Sequence, residues 1–404
     1  MMPEQMLDSL LLDEGGSILL LVMDGLGDTA TAQTNWRTPL EAAKTPHLDE
    51  LVKGAACGRG IPVSPGITPG SGPGHLALFG YEPVAHEIGR GVLEAAGLDM
   101  EIMPRDVCTR ANFGTYGANG IITDRRAGRI PTEKCRELVA ELIRRIPAIE
   151  DVQFVLKAGK GHRFVVIMRG DGLDGDLTDA DPHHEGAPIQ QVKANKPEGQ
   201  KAARLANEFI ARANELLRNE RPANGIMMRG FSKTPAIRPF PAKWKISSAA
   251  IATYPMYRGI TKLLGLNVLA TGDTAADEAA TYVNDAANYG YVFLHVKPTD
   301  AAGEDGNFDA KVAAIEETDA AIPTLLKREP DVLCVTGDHS TPVTNKGHSW
   351  HPVPVMVRSR LCGSDRFDRF TEKNCNSGSL GIFPMLELMP VLLANAGRLD
   401  KFGA

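Results

Sequence analysis

Three apolar stretches of this chain run directly into ionisable residues. Ser17 to Met23 ends at Asp24, Tyr291 to Val296 ends in Lys297, Pro298, Thr299 and Asp300, and Val332 to Thr336 ends in Gly337, Asp338 and His339. His348 follows the last of these by one loop. Each stretch is short and almost wholly apolar, the pattern of a strand buried on both faces. In open α/β sheets ligands bind beyond the carboxyl ends of the strands, so the three endings can meet at one edge. Carboxylates gathered there repel one another unless cations lie between them. A single aspartate after a strand reads as a helix N-cap; a metal centre accounts for all three endings at once. Mixed Asp and His donors suit Mn2+ or Zn2+, and Mg2+ less well.

A serine stands in a second unusual setting. Ser71 lies in TPGSGPGH, Thr68 to His75, where flanking glycines allow backbone to approach a ligand closely. A helix starting near Gly72 and Pro73 would put Ser71 at its N-terminus, where free N–H groups favour phosphate oxygens. A cation at its hydroxyl would lower the pKa and make the serine a nucleophile. Taken alone, the segment also reads as a surface turn with a capping serine.

The remaining candidates are basic. Asp124-Arg125-Arg126-Ala127-Gly128-Arg129, Gly161-His162-Arg163 and Tyr257-Arg258-Gly259 carry guanidinium forks that match phosphate and carboxylate. Each run by itself reads as solvated surface. Arg125, Arg126, Arg129, His162 and Arg258 are the candidates for gripping an anionic substrate, with Asp124 and Lys297 beside it.

The elements that must position these residues follow from pattern. The capping box Thr38 to Glu41 predicts a helix running through Lys53 and stopping at Gly54. Further helices are expected at Thr132 to Ile146, Gln200 to Arg218, Ala276 to Tyr289 and Asn307 to Lys327. Strands are expected at Gln153 to Leu156, Arg163 to Met168 and Val353 to Val357. Strand–helix alternation indicates an α/β fold, a buried parallel sheet with helices on both faces. With 404 residues, two domains are expected.

Composition excludes other classes. The chain has 44 basic and 50 acidic residues, a net charge of −6, and no basic block, which argues against nucleic acid as a partner. The apolar run Ile18 to Met23 is far too short to span a bilayer, and the acidic N-terminus is not a signal peptide. Cys57, Cys108, Cys135, Cys334, Cys362 and Cys375 form no C-x-x-C pair and read as reduced thiols of a cytoplasmic protein without membrane partners.

In this order, the motifs resemble the archaeal-type 2,3-bisphosphoglycerate-independent phosphoglycerate mutases of the alkaline phosphatase superfamily. The matching stretches include VMDGLGD at Val22, TPLEAAKTPHLDELVKGAACG at Thr38, PGSGPGHLALFGYEP at Pro69 and IGRGVLEAAG at Ile88. They continue with ANFGTYGANGIITDRRAGR at Ala111, PMYRGITKLLGL at Pro255, GDTAADEAA at Gly272, HVKPTDAAGEDGNFDAKVAAIEETD at His295 and GDHSTPVTNKGHSWHPVPV at Gly337. The resemblance implies an alkaline-phosphatase-like, mostly parallel sheet flanked by helices, with a smaller inserted α/β (α+β) domain. Residues 1–16 would be an N-terminal extension, 17–105 and 251–404 the metal-binding domain, and 106–250 an inserted substrate-capping domain that closes to keep water out.

The resemblance also implies roles. Asp24, Ser71, Asp338 and His339 match the ligands of one metal, with Ser71 the nucleophile; Asp300 and His348 match ligands of a second. Glu304 stands where the family has a histidine, four residues after the aspartate, and its carboxylate favours Mn2+ or Mg2+ over Zn2+ there. Gly72 and Pro73 also depart from the family, which alters the shape of the substrate pocket. Trp350 and His351 have no assigned role beyond packing, with His351 the alternative ligand. The implied activity interconverts 3-phosphoglycerate and 2-phosphoglycerate through a phosphoserine. It uses two divalent cations, Mn2+ first with Mg2+ or Zn2+ as the other candidates, and no 2,3-bisphosphoglycerate. The alternatives on the same residues are a metal-dependent phosphomonoesterase or another small-molecule phosphotransferase of the homoserine-kinase kind. A catalytically silent relative that lost a metal site is the reading from another class.

Overall fold

The structure, a computed structural model, describes residues 4–86, 88–117 and 119–403. The chain folds as two compact units, Met1–Glu87 with Ile237–Ala404, and Ile88–Ala236.

The first unit is built on an eight-stranded sheet. Its order is Asn267–Leu269, Ser248–Ala252, Tyr291–Val296, Ile18–Met23, Val332–Thr336, Val353–Ser359, Ala55–Ile61 and Gly381–Pro384. All pairings are parallel except the two made by Val353–Ser359. The three central strands are buried along their whole length, as continuous apolar runs require. Helices Ala275–Asp285 and Phe308–Leu325 contribute Ala279, Tyr282, Ile315 and Ile322 to the core beside these strands. Residues 10–16 are not a loose extension: Leu12 N–H donates to Arg398 O, and Asp400 N–H to Leu10 O.

The second unit is an antiparallel α+β layer. Ile122–Asp124, Asp106–Tyr116, Arg163–Arg169, Val152–Ala158 and Ala148–Ile149 form the sheet in that order, and Gly225–Ser232 also pairs with Asp106–Tyr116. Helices Thr132–Arg145 and Gln200–Leu217 close its core, where Phe154 stacks on Phe209 at 4.5 Å.

Two expectations need revision. The predicted helix from Thr38 to Lys53 is broken into Pro39–Ala42 and Pro46–Val52. Pro46 offers no N–H and drives the preceding residue out of the helical region, so Thr45 sits at φ −121°, ψ 60°. The division between units falls earlier in sequence than the 105/106 and 250/251 boundaries of the sequence reading. Helix Arg90–Gly97 belongs to the second unit because it lies directly on strand Asp106–Tyr116; a Cβ on Gly91 would be 2.3 Å from the Cys108 carbonyl oxygen. Phe240 and Trp244 belong to the first, with Phe240 4.6 Å from the Tyr291 ring and Trp244 Nε1–H donating to Phe79 O.

Candidate active site

The sheet register delivers the ionisable endings to one edge. Met23 lies opposite Val296, and Val22 opposite both His295 and Thr336. Asp24, Lys297 and Gly337 therefore emerge side by side. Gly25 makes the first turn possible: its φ is +61°, and a Cβ there would lie 2.5 Å from Thr341 Oγ1 and 2.7 Å from Asp300 Oδ1. Asp24, Asp300, Asp338 and His339 are all buried.

One donor group consists of Asp24, Asp338 and His339, whose ligand atoms lie within 4.8 Å of one another. His339 Nε2 is 3.4 Å from Asp24 Oδ1 and 3.2 Å from Asp338 Oδ2. These three atoms are buried and none has a well-formed hydrogen bond, although Asp338 Oδ2 also lies 3.2 Å from His75 Nδ1. Unpaired polar atoms in a protein interior are rare and expensive, so three converging ones fit a divalent cation held among them. Burial pushes the Asp24 carboxyl up, but His295, Lys297 and His339 overcome this and hold it well below the usual carboxylate range. Burial pushes His339 down, favouring the neutral imidazole that a metal ligand requires.

The other group consists of Asp300, His339 and His348, again within 4.8 Å. His348 Nδ1–H donates to Pro69 O at 2.9 Å, leaving Nε2 to face Asp300 Oδ1 at 3.7 Å and Glu304 Oε1 at 3.9 Å. Glu304 is exposed and reaches His348 Nε2, but it is not one of the three residues whose ligand atoms converge there. The two histidine rings stack at 3.6 Å. Thr341 joins the groups: its hydroxyl donates to Asp300 Oδ1 at 2.7 Å and lies 3.0 Å from His339 Nδ1. With the hydroxyl hydrogen on Asp300, His339 Nδ1 must be the donor, and Nε2 is left as the ligand nitrogen. The Lys297 ammonium lies between the groups, 2.8 Å from Asp24 Oδ2 and 2.5 Å from Asp300 Oδ2.

Ser71 begins helix Ser71–Leu78, with Gly70 as N-cap. Gly74 lets that helix lie on the Asp338 backbone, since a Cβ there would be 2.6 Å from Asp338 O. One turn on, His75 Nδ1–H donates to Ser71 O at 2.8 Å. The Tyr257 hydroxyl donates to Asp24 Oδ2 and is within hydrogen-bonding reach of the Ser71 side chain. His351 turns elsewhere, with Nδ1 3.0 Å from Ser349 Oγ, and Trp350 stacks on it at 4.8 Å.

A buried lysine ties the ligand-bearing loops together. Lys311, fully buried on helix Phe308–Leu325, donates to Asp28 Oδ2 at 2.9 Å, Thr341 O at 2.8 Å and Gly27 O at 3.3 Å. Asp28 Oδ2 also accepts from Val343 N–H. The loop after Asp24 and the loop after His339 thus share one cation.

The second unit holds the basic residues. Arg110, Asn112, Arg125, Arg126, His162 and Arg163, with Arg229, line a cavity of about 140 Å3. Strand pairing assembles it, with Asn112 opposite Arg163 and Arg110 opposite Arg229. Arg125 grips the buried Asp181 carboxylate through Nε at 2.9 Å and Nη2 at 2.6 Å, and Arg110 pairs with Glu94 at 2.9 Å. Arg163 Nε and Arg229 Nε are buried without a hydrogen-bond partner, Arg229 Nε lying 3.9 Å from Asp181 Oδ2, which leaves donors that suit an anion. Burial and the neighbouring Arg163, Arg110 and Arg126 push His162 down to about 4, so it is neutral at physiological pH. Arg129 lines an adjoining open cavity with Arg125 and Arg126. Asp124 caps its own turn, accepting from Arg126 N–H and Gly128 N–H. Arg258 lies on helix Pro255–Leu263 of the first unit.

Sequence reasoning therefore named the residues of both donor groups but not their supports. His295, a histidine inside an apolar strand, was the visible signal for a polar group beneath Asp24, and its Nε2 is 3.4 Å from Asp24 Oδ2. Arg110 and Asn112 show period-2 spacing, but their neighbours Arg163 and Arg229 emerge only from strand pairing. Lys311 looked like an ordinary helical lysine.

Comparison with known proteins identifies the family. A family profile described as 2,3-bisphosphoglycerate-independent phosphoglycerate mutase matches residues 53–224. A probable mutase of that name from Thermotoga sp. (strain RQ2) is 47% identical over 99% of both chains. Among solved structures, a cofactor-independent phosphoglycerate mutase from Thermoplasma acidophilum is 31% identical, covering 95% of this chain and 100% of that one, with a TM-score of 0.73. A protein from Pyrococcus horikoshii is 29% identical, covering 96% and 100%, with a TM-score of 0.83. The chain belongs to the family of 2,3-bisphosphoglycerate-independent phosphoglycerate mutases.

Proposed function

We propose that this protein interconverts 3-phosphoglycerate and 2-phosphoglycerate through a phosphoserine at Ser71, with two divalent cations and no 2,3-bisphosphoglycerate. The observation that carries this reading is the trio of Asp24 Oδ1, Asp338 Oδ2 and His339 Nε2, buried and without a well-formed hydrogen bond beside a serine at a helix N-terminus. Asp24, Ser71, Asp338 and His339 would hold one cation, and Asp300, Glu304 and His348 the other. When bound, the cations supply charge stabilisation for the transferring phosphoryl group.

The chain's own residues do the rest. Ser71 Oγ attacks phosphorus; the Oγ–P bond forms as the bond from phosphorus to O3 of the substrate breaks. The serine proton ends on the released 3-hydroxyl. Glycerate then presents its 2-hydroxyl, which takes the phosphoryl group and returns a proton to Ser71. The free N–H groups at the start of helix Ser71–Leu78 face the phosphoryl oxygens. Lys297, whose neighbours Asp24 and Asp300 outweigh its burial and keep it protonated, adds a fixed positive charge. In the second unit, Arg110, Arg125, Arg126, Arg163 and Arg229 serve as a substrate-anion site, with neutral His162 as a hydrogen-bonding partner. Arg129 and Arg258 are further candidates for holding the substrate. Mn2+ is the proposed cation, because two carboxylates and one imidazole at the second group favour harder ions. The setting is the cytoplasm, where the phosphoglycerates are intermediates of glycolysis; no helix among the described residues is long and apolar enough to cross a membrane.

The test is isotopic. With 3-phosphoglycerate labelled on carbon and an excess of unlabelled glycerate, the 2-phosphoglycerate formed should keep the carbon label undiluted, and acid quenching should trap phosphate on Ser71. Turnover with no phosphoserine at any quench time would sink the covalent route.

A further inference from the structure

A second polar cavity lies in the first unit, with Lys297 lining it. It is a partly open cavity of about 30 Å3 between the N-terminal turn of helix Ala275–Asp285, helix Phe308–Leu325 and the ends of strands Ser248–Ala252 and Tyr291–Val296. That volume suits one water or one small ion. Glu278 forms part of its wall and is 2% exposed. Among the described residues its carboxyl has neither a hydrogen-bond nor an ion-pair partner. A carboxyl at so deeply buried a residue, with no protein partner, calls for water, an ion or a proton in the cavity it faces.

The rest of the wall is oxygen. The Thr318 hydroxyl donates to Ala314 O at 2.9 Å, so its lone pairs remain available. The Thr253 hydroxyl has no partner among the described residues. Asp273 and Glu317 are exposed at the rim and add negative charge. No histidine or cysteine lines the cavity. Lys297 also lines it, and its ammonium is held by Asp24 and Asp300.

We propose that this cavity is a binding site for a monovalent cation of the potassium or sodium class, held by the Glu278 carboxylate and the Thr253 and Thr318 hydroxyls. A divalent ion calls for several carboxylate oxygens at bonding distance. Here a single carboxylate is inside, and Asp273, Glu278 and Glu317 do not form one of the convergent carboxylate groups found among the described residues. Asp273 and Glu317 act through water, raising the local cation concentration. A proton on Glu278 is the competing state, since burial and the nearby Asp277 and Glu317 push its carboxyl up to about 8. The cation and the proton therefore exclude each other.

The experiment uses the full chain loaded with Mn2+, so that monovalent ions do not compete at the transition-metal groups. Melting temperature is followed while tetramethylammonium chloride is exchanged for potassium or sodium chloride at constant ionic strength and pH. The native protein should show a saturable rise with half-saturation in the millimolar range. Glu278→Gln should abolish the ion response, and Thr253→Val should shift half-saturation upward severalfold. An ion response equal in the native protein and Glu278→Gln, or absent from the native protein, overturns the proposal. Because the readout is the ion dependence within each variant, a stability change from removing a buried acid does not mimic it.

Discussion

Replacing Lys311 with methionine should uncouple the loops that carry the donor groups. The change keeps the stem volume and removes one buried ammonium. That ammonium satisfies Asp28 Oδ2, Thr341 O and Gly27 O at 2.9, 2.8 and 3.3 Å, and both members of the pair have fully buried side chains. Breaking a buried pair by deleting one partner costs about 3–5 kcal/mol, because the remaining charge stays desolvated. Asp28 keeps Val343 N–H and Thr29 N–H, which places the expected loss toward the lower figure. The carbonyls of Thr341 and Gly27 each lose a donor, adding about 1 kcal/mol apiece. The sum is about 5 kcal/mol. Partial neutralisation in Lys311→Met with Asp28→Asn should recover about 2 kcal/mol, since no unpaired charge remains. Urea unfolding of the metal-free protein, read by a probe of the first unit, measures both. A loss below about 1 kcal/mol for Lys311→Met, within the range of an exposed pair, would refute the argument that this lysine holds the loops. So would a double variant less stable than the single one by the full cost of Asp28→Asn.

Other perturbations have defined outcomes. Thr341→Val removes the hydroxyl between Asp300 and His339 and should weaken metal binding by about 10–100-fold, while Thr341→Ser should restore it; calorimetric titration of the metal-free protein decides, and equal affinity of the valine variant contradicts the relay. Glu304→Ala should weaken one metal equivalent and leave the other, so two tight equivalents by elemental analysis would remove Glu304 from the second group. Glu372 is buried, with Oε1 unpaired and Oε2 accepting from Thr38, and burial pushes its carboxyl up to about 7. A carboxyl raised in the folded state stabilises fully below its ordinary range near about 4.3, and that contribution is lost as pH rises through about 7. Glu372→Gln should therefore flatten the fall in melting temperature between those values; parallel curves would reject the assignment.

Particular elements show where the sequence was sufficient. The strand Tyr291–Val296 was legible to the residue, because a fully buried strand is almost wholly apolar, here with His295 the exception, and the next position is charged. The same break located Asp24, Asp338 and His339. Helix ends were less legible, since Pro46 outweighed a good capping box upstream. The unit boundary misled because Arg90–Gly97 precedes the sheet it packs on, and only the close contact at Gly91 assigns it. Long-range supports were hidden for a different reason. Thr341, Lys311 and Asp28 acquire meaning from contacts across large sequence separations, such as Lys311 to Asp28, 283 residues apart. No local pattern distinguishes a buried lysine from a solvated one on a helix.

The most direct test of the central claim is turnover of 3-phosphoglycerate to 2-phosphoglycerate, coupled to enolase, on metal-stripped protein without 2,3-bisphosphoglycerate. Adding Mn2+ to the native chain should start the reaction, and adding it to Ser71→Ala should not. No turnover by the native chain with both metal equivalents bound, or undiminished turnover by Ser71→Ala, would contradict the account.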